Sequence, residues 1–195
     1  MKKKLSMFVL VVFGFLLFAG CQTETIGTNQ NKSNQVEIEI ENYGTLTIQL
    51  NPEEAPITVE NFKSLIEEGF YDGLTFHRII RNFMIQGGDP NGNGTGGSSN
   101  QIKGEFASNG VDNSLSHTRG AVSMARSLEM DSASSQFFIV HEDSPHLDGD
   151  YAVFGYVVDG IEIVDQICAD TVVVDSNGTV APENQPIITS IKLVN

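Results

Sequence analysis

From Val36 onward apolar and acidic residues alternate, with Val36, Ile38 and Ile40 separated by Glu37, Glu39 and Glu41. A period of two buries one face of a strand and leaves the other wet. Asn42-Tyr43-Gly44 reads as a turn, and Leu46, Ile48 and Leu50 resume the alternation, which predicts a hairpin. After Pro56 the period changes: Val59, Phe62, Leu65 and Ile66 share one face at helical spacing, and Gly69 stops the run. A second helical pattern spans about Gly160 to Ala169. Between the helices lie short apolar runs at Thr75 to Ile80, Phe83 to Gln86, Ala121 to Ala125, Gln136 to Val140 and Tyr151 to Val158, and Pro186 to Val194 ends the chain as another strand. Many short strands with two separated helices predict a closed barrel or a sandwich whose open ends the helices cap. No internal repeat is visible.

The N-terminus follows a different pattern. Lys2, Lys3 and Lys4 precede an uncharged apolar run from Met7 to Ala19, the basic and hydrophobic regions of an export signal. The run is shorter than the ~20 apolar residues of a comfortable membrane span. It ends in Phe18-Ala19-Gly20-Cys21, which resembles the lipobox of bacterial lipoproteins, where the Cys takes a diacylglyceride and becomes the new N-terminus. Phe18 departs from the usual Leu. An ordinary cleaved signal peptide and a short uncleaved anchor are the alternatives. Gln22 to about Gln35 is Thr, Asn, Gln, Ser and Gly with hardly an apolar side chain, a composition expected of a flexible tether. The expected organisation is a signal peptide over 1–20, a tether carrying lipidated Cys21 over 21–35, and one folded domain over 36–195. That places the protein on the extracytoplasmic face of the cell membrane, held by lipid.

Composition narrows the partners. The formal charge is -14, and without Lys2, Lys3 and Lys4 there remain 8 basic residues against 25 acidic ones, or -17. Nucleic acid is a poor partner for such a surface, because counterion release needs clustered Lys and Arg. The chain has two Cys, and a lipidated Cys21 leaves Cys168 alone, so no disulfide is expected. Cys168 falls in the pattern Ile161, Val164, Ile167, Cys168 and reads as a small buried hydrophobe on a helix. The four His (His77, His117, His141, His146) lack metal-ligand spacing, and neither metal nor cofactor is expected.

The segment Phe76-His77-Arg78-Ile79-Ile80-Arg81-Asn82-Phe83-Met84-Ile85-Gln86-Gly87-Gly88-Asp89 resembles the signature of the cyclophilin family of peptidyl-prolyl isomerases. Further matches follow in order: Gly92 to Gly97, Gly120 to Ala125, Ser135 to Ile139, Leu147-Asp148-Gly149 and Val153-Phe154-Gly155. The resemblance covers roughly Val36 to Val194 and implies an eight-stranded antiparallel closed β-barrel with a helix over each end. It also implies that Arg78 is catalytic, that Phe83, Met84, Phe138 and Leu147 line a proline pocket, and that Gln86 contacts substrate backbone. Ala125 and Arg126 would pair with the substrate main chain. His77, Gln136, His146 and Tyr151 fall at further substrate-site positions. His146 stands where many members have Trp, Tyr151 where His is frequent, and Arg126 where Asn is frequent. The missing indole implies weak cyclosporin binding.

Those residue types suit the reaction. Rotation about an X-Pro amide passes a barrier of roughly 20 kcal/mol because it breaks N-C=O conjugation. In the twisted state the proline nitrogen becomes pyramidal and accepts a hydrogen bond that the planar ground state cannot. A guanidinium is always charged and carries five donors in a rigid fork, so aimed at that nitrogen it stabilises the twisted state selectively. The Gly92 to Gly97 stretch lacks the Lys and Ser/Thr of a phosphate loop and reads as a flexible loop beside the groove. Thr171 to Gln185, with Asn177-Gly178 as a turn, reads as a surface loop.

The expected function is a membrane-tethered, monomeric prolyl isomerase acting on proline-containing unfolded or partly folded exported polypeptides. The alternative is a binding module or holdase of the same fold with incidental turnover. The anchoring has a direct test. Wild-type protein should incorporate labelled palmitate and partition into detergent, and Cys21→Ser should lose both properties; equal labelling of the two would rule lipidation out.

Overall fold

A computed structural model describes residues 34–194. The expected signal segment, Cys21 and most of the expected tether lie outside the described residues. Each strand expected from the sequence forms: β1 (Gln35–Ile40), β2 (Gly44–Leu50), β3 (Phe76–Ile80), β4 (Met84–Gly87), β5 (Ala121–Met124), β6 (Phe137–Val140), β7 (Val153–Asp159) and β8 (Ile188–Val194). Two α-helices accompany them, α1 (Pro56–Glu67) and α2 (Ile161–Asp170). In β1 and β2 the alternation is realised residue by residue. Val36, Ile38, Ile40, Leu46, Ile48 and Leu50 are buried, and the hairpin turns through Asn42 at φ 66°.

The strands form one antiparallel sheet in the order β3-β4-β6-β5-β7-β2-β1-β8. The sheet curls into a half-barrel, which corrects the expectation of a closed barrel. Among the described residues its terminal strands β3 and β8 are not paired along their length and are joined at one end, by an isolated bridge between Thr75 and Ile187 and by the Phe76, Ile188 and Gly73 N–H groups donating to the Pro186, Leu74 and Ile188 carbonyls. The physical reason lies on the outer edge of β3, where another segment already sits. Ile79 N–H donates to the Gly178 carbonyl (2.8 Å) and Val180 N–H to the His77 carbonyl (3.0 Å), so residues 178–180 occupy groups that a closing strand would need.

Helix α1 begins at Pro56, whose fixed φ suits a first turn. Its N-terminus is completed from far along the chain: the buried Glu105 carboxylate accepts the Ile57 and Thr58 N–H groups at 3.0 and 2.8 Å and the Thr58 hydroxyl at 2.7 Å. An anion at this end satisfies orphan donors and complements the helix dipole. The apolar face then enters the sheet's concave side, where the fully buried Phe62 ring lies 5.1 Å from Tyr71, 5.5 Å from Phe137 and 5.1 Å from Phe154, centroid to centroid. Helix α2 buries Ile163, Val164, Ile167 and Cys168, and burial pushes the Cys168 thiol up to about 11, in keeping with an inert packing role.

A polar network, buried at His117 and Ser123 and open to solvent at Asp148, ties the loop after β6 to β5. His117 donates through Nδ1 to Asp148 (2.8 Å), which leaves Nε2 to accept the Ser123 hydroxyl at 3.0 Å. These are hydrolase-triad distances, but Ser123 is 0 % exposed, so no substrate reaches its oxygen. Burial lowers the His117 pKa below the ordinary imidazole value, against the opposing pull of the Asp148 carboxylate; burial does the same to His77.

Two measurements check this core. Phe62→Ala should destabilise the protein by about 3 to 5 kcal/mol in chemical denaturation, the range for a large aromatic removed from a packed interior. Below about pH 6.5 the unfolded chain binds protons that folded His117 and His77 refuse, so stability should fall as the solution is acidified, at most about 1.4 kcal/mol per pH unit for each imidazole. His117→Gln should flatten that slope, and an unaltered slope would contradict the assignment.

Candidate active site

The site forms where β3, β4 and β6 run side by side and the segments after β5 and β6 fold over them. Register places Arg78 opposite Gln86 and Gln86 opposite Phe138. Sheet pairing alone therefore sets a cation, an amide and an aromatic ring in a row across three strands. Arg78, Phe83, Met84, Gln86, Ala125, Arg126, Phe138, Leu147 and Tyr151 line one cavity of about 150 Å³. Nine of the residues expected from the sequence thus converge on a space of a few heavy atoms, apolar on the Phe83, Met84, Phe138 and Leu147 side.

The cavity walls are fixed. Met84 and Phe138 are buried. The Phe138 ring stacks on His117 at 5.9 Å and 12° and meets Tyr151 edge-on at 6.0 Å, so the buried His117 network stands directly behind the pocket. His146 does not line this cavity. It packs its ring against Phe83 at 5.5 Å, on the rim.

Arg78 is held at two atoms. Its Nε donates to the Asn177 carbonyl at 2.8 Å and its Nη1 to Gln86 Oε1 at 3.1 Å, with Met84 Sδ at 3.9 Å from the same nitrogen. Nη2 has no hydrogen-bond partner among the described residues. The anchor extends further: Gln86 Nε2 donates to Gln136 Oε1 (2.9 Å), and Gln136 Nε2 donates to the Gly96 carbonyl (2.7 Å) and the Gly94 carbonyl (3.2 Å). This chain fixes both amide orientations, because each oxygen accepts from the group before it. Burial lowers the Arg78 pKa, offset by Tyr151 and Asp175, and a guanidinium remains charged under such a shift.

The glycine loop is also built on one carboxylate. Asp89 accepts N–H groups of Asn91 (2.8 Å), Asn93 (3.1 Å) and Gly94 (2.6 Å). A Cβ on Gly96 would lie 2.1 Å from Asp89 Oδ1, so this glycine is required by close approach. The loop borders a second, polar cavity of about 350 Å³ that shares Gln86, Ala125 and Arg126 with the first and adds Gln136. Arg126 lies between the two. Its Nε and Nη2 donate to the Asp150 carbonyl (3.0 and 2.9 Å), and its guanidinium covers the Phe106 and Tyr151 rings at 5.0 and 4.7 Å. The Ala125 N–H is engaged by the Gln136 carbonyl at 2.9 Å, so main-chain pairing with a substrate rests on other groups of this segment.

His77 stands apart. It is 4 % exposed, lines neither cavity, and neither ring nitrogen has a hydrogen-bond partner among the described residues. Its ring sits behind the glycine loop, with Nε2 3.8 Å from where a Gly94 Cβ would be. Conversely, sequence reasoning passed over Asn177, whose backbone carbonyl rather than its side chain does the work, and over the His117, Ser123 and Asp148 network. Ser123 and Asp148 lie inside matched motifs, but nothing in their spacing reveals that a His joins them.

Comparisons with known proteins bear on the chain as a whole. The family model described as cyclophilin type peptidyl-prolyl cis-trans isomerase/CLD matches residues 35–193. Peptidyl-prolyl cis-trans isomerase B of Bacillus subtilis is 46% identical over 144 residues, 74% of this chain and 92% of that protein. A peptidyl-prolyl cis-trans isomerase of Helicobacter pylori is 44% identical over 128 residues, 65% and 76% of the two chains. Among solved structures, a Cryptosporidium parvum cyclophilin type isomerase determined in the presence of the dipeptide Ala-Pro superimposes with a TM-score of 0.73 at 32% identity, covering 83% of this chain and 99% of that one. With a match that runs through almost every described residue, this chain belongs to the cyclophilin-type peptidyl-prolyl cis-trans isomerase family.

Proposed function

We propose that this isomerase works from a lipid anchor at Cys21 on the outer side of the cell membrane, turning X-Pro bonds of exported polypeptides, and that Arg78 is its catalytic residue. The observation that carries the assignment is the state of the guanidinium. Two of its nitrogens are pinned, the third is left over, and the side chain borders an apolar cavity of about 150 Å³.

In this reading the pyrrolidine ring enters among Phe83, Met84, Phe138 and Leu147. The ring stays put while the preceding carbonyl rotates. As conjugation breaks, the nitrogen turns pyramidal and accepts an N–H from Arg78, and the bond fades again as the amide regains planarity. One hydrogen bond from a charged donor contributes about 1.5 to 3 kcal/mol. The remainder of the acceleration comes from desolvation in the pocket and from dipoles already fixed before substrate arrives, the Gln86 and Gln136 amides among them. Every partner returns to its starting state, so the cycle consumes nothing.

The envelope role draws on the sequence. The basic start, the apolar run and Ala19-Gly20-Cys21 support export and lipidation, and the polar stretch from Gln22 supplies reach. Clients are proline-containing segments not yet folded, since a cavity of this size takes a single ring from an accessible chain. His146 offers Phe83 a smaller partner than an indole, which supports weak cyclosporin binding.

Arg78→Lys tests the mechanism, because it retains the charge and loses the planar fork. On a chromogenic proline peptide, with chemistry rate-limiting, kcat should fall about tenfold or more, the equivalent of ~1.4 kcal/mol of transition-state stabilisation. KM should move little. Full turnover in Arg78→Lys would sink the positioned hydrogen bond.

A further inference from the structure

The segment after α2 looks in sequence like a surface loop, yet its turn reaches the working end of Arg78. Asp175 organises that turn. Its Oδ1 accepts the Asn177 N–H at 2.9 Å and the Thr179 N–H at 3.1 Å, and its Oδ2 accepts the Thr179 hydroxyl at 2.9 Å. The Asp175 carbonyl accepts the Gly178 N–H at 3.2 Å, and Val174 N–H donates to the Thr179 carbonyl at 2.8 Å, so the turn closes on itself from both sides.

The turn is also locked to β3 on either side of Arg78. Gly178 and Val180 bond the backbones of Ile79 and His77, and Thr179 forms a bridge with Arg78 itself. Gly178 has φ 82°, and a Cβ there would meet the Ile79 carbonyl at 2.4 Å, so the approach is as close as a backbone permits. What this fixes in space is the Asn177 carbonyl, the acceptor for Arg78 Nε.

We propose that Asp175 is a positioning residue: through the turn it builds, it holds the Asn177 carbonyl against Arg78 Nε and so sets the plane of the guanidinium. The inference rests on Arg78 being the reacting group. The Gln86 contact at Nη1 is a single point, about which the fork can swing; a second point at Nε removes that freedom and aims the remaining nitrogen, Nη2. A planar donor set loses its advantage over a flexible ammonium if its plane is not fixed. Asp175 does this without touching substrate, from an exposed site on the far side of the strand edge.

The test uses the full chain, with Asp175→Ala and Asp175→Asn compared with wild type. Asn keeps an oxygen that accepts the two backbone N–H groups, and Ala does not. In Asp175→Ala, kcat on a chromogenic proline peptide should fall about fivefold with KM within about twofold, because only an orientation used in the transition state is lost. Asp175→Asn should stay within about twofold of wild type on both constants, which separates turn geometry from the loss of a charge near Arg78. Independently of turnover, solvent exchange of the Arg78 Nε–H, followed by NMR, should quicken about tenfold or more in Asp175→Ala and not in Asp175→Asn. Wild-type kcat and exchange in Asp175→Ala would overturn the proposal. So would an Asp175→Asn variant as impaired as Asp175→Ala, or a KM that rises in step with the loss of kcat. If wild type itself shows no turnover, the assignment of Arg78 as reacting group fails, while the exchange comparison still decides whether Asp175 holds the guanidinium.

Discussion

A guanidinium that is to act on a neutral nitrogen, the role proposed for Arg78, must meet three conditions that pull against one another. It must leave water, it must keep one orientation, and it must still have a donor to give. Most buried arginines meet the first two by saturating every N–H. Here Arg78 is anchored through Nε and Nη1 to acceptors from two distant parts of the chain, Asn177 and Gln86. The rest of the site depends on that arrangement. Gln86 keeps its oxygen turned to Arg78 because its amide nitrogen donates to Gln136, and Gln136 is fixed in turn by the glycine-loop carbonyls.

The curled sheet is what makes such a chain of contacts possible. Neighbouring strands lie close enough that cross-strand pairs touch, so the register of β3, β4 and β6 decides which side chains meet. Because β3 is a terminal strand, its outer edge is free to be capped by residues 178–180, which brings the Asn177 carbonyl within reach. A fully closed barrel would have given that edge to another strand. Incomplete closure and the support of Arg78 are therefore two aspects of one arrangement.

Charge has a similar double character. The chain carries -14 overall, yet Arg78 and Arg126 both line the pocket, and Arg126 is held flat by the Asp150 carbonyl and two aromatic faces. Two guanidiniums beside this cavity make the field there locally positive on an otherwise acidic chain.

Periodicity located both helices and the first hairpin, and short apolar runs between turn residues located the remaining strands, because the signal that buries a strand or helix face is written in consecutive residues: Val36, Ile38 and Ile40 could face only one way. The motif at Phe76 to Asp89 likewise named four of the nine cavity-lining residues, Arg78, Phe83, Met84 and Gln86, since β3 and β4 form a local hairpin whose register follows from its turn. What the sequence did not determine were the contacts between residues far apart in number. Glu105 completes α1 from 47 residues beyond Thr58, Asn177 reaches Arg78 across 99, and Asp148 meets His117 across 31. The fate of His77 belongs here too: next to Arg78 in sequence, it is carried behind the glycine loop and out of the pocket. The openness of the barrel was equally hidden, because it turns on which segment reaches the β3 edge. Hydrophobic patterning specifies which face of an element is buried, and each backbone carbonyl or carboxylate is chemically the same wherever it stands; only the packing of the finished sheet decides which of them lies 2.8 Å from the guanidinium.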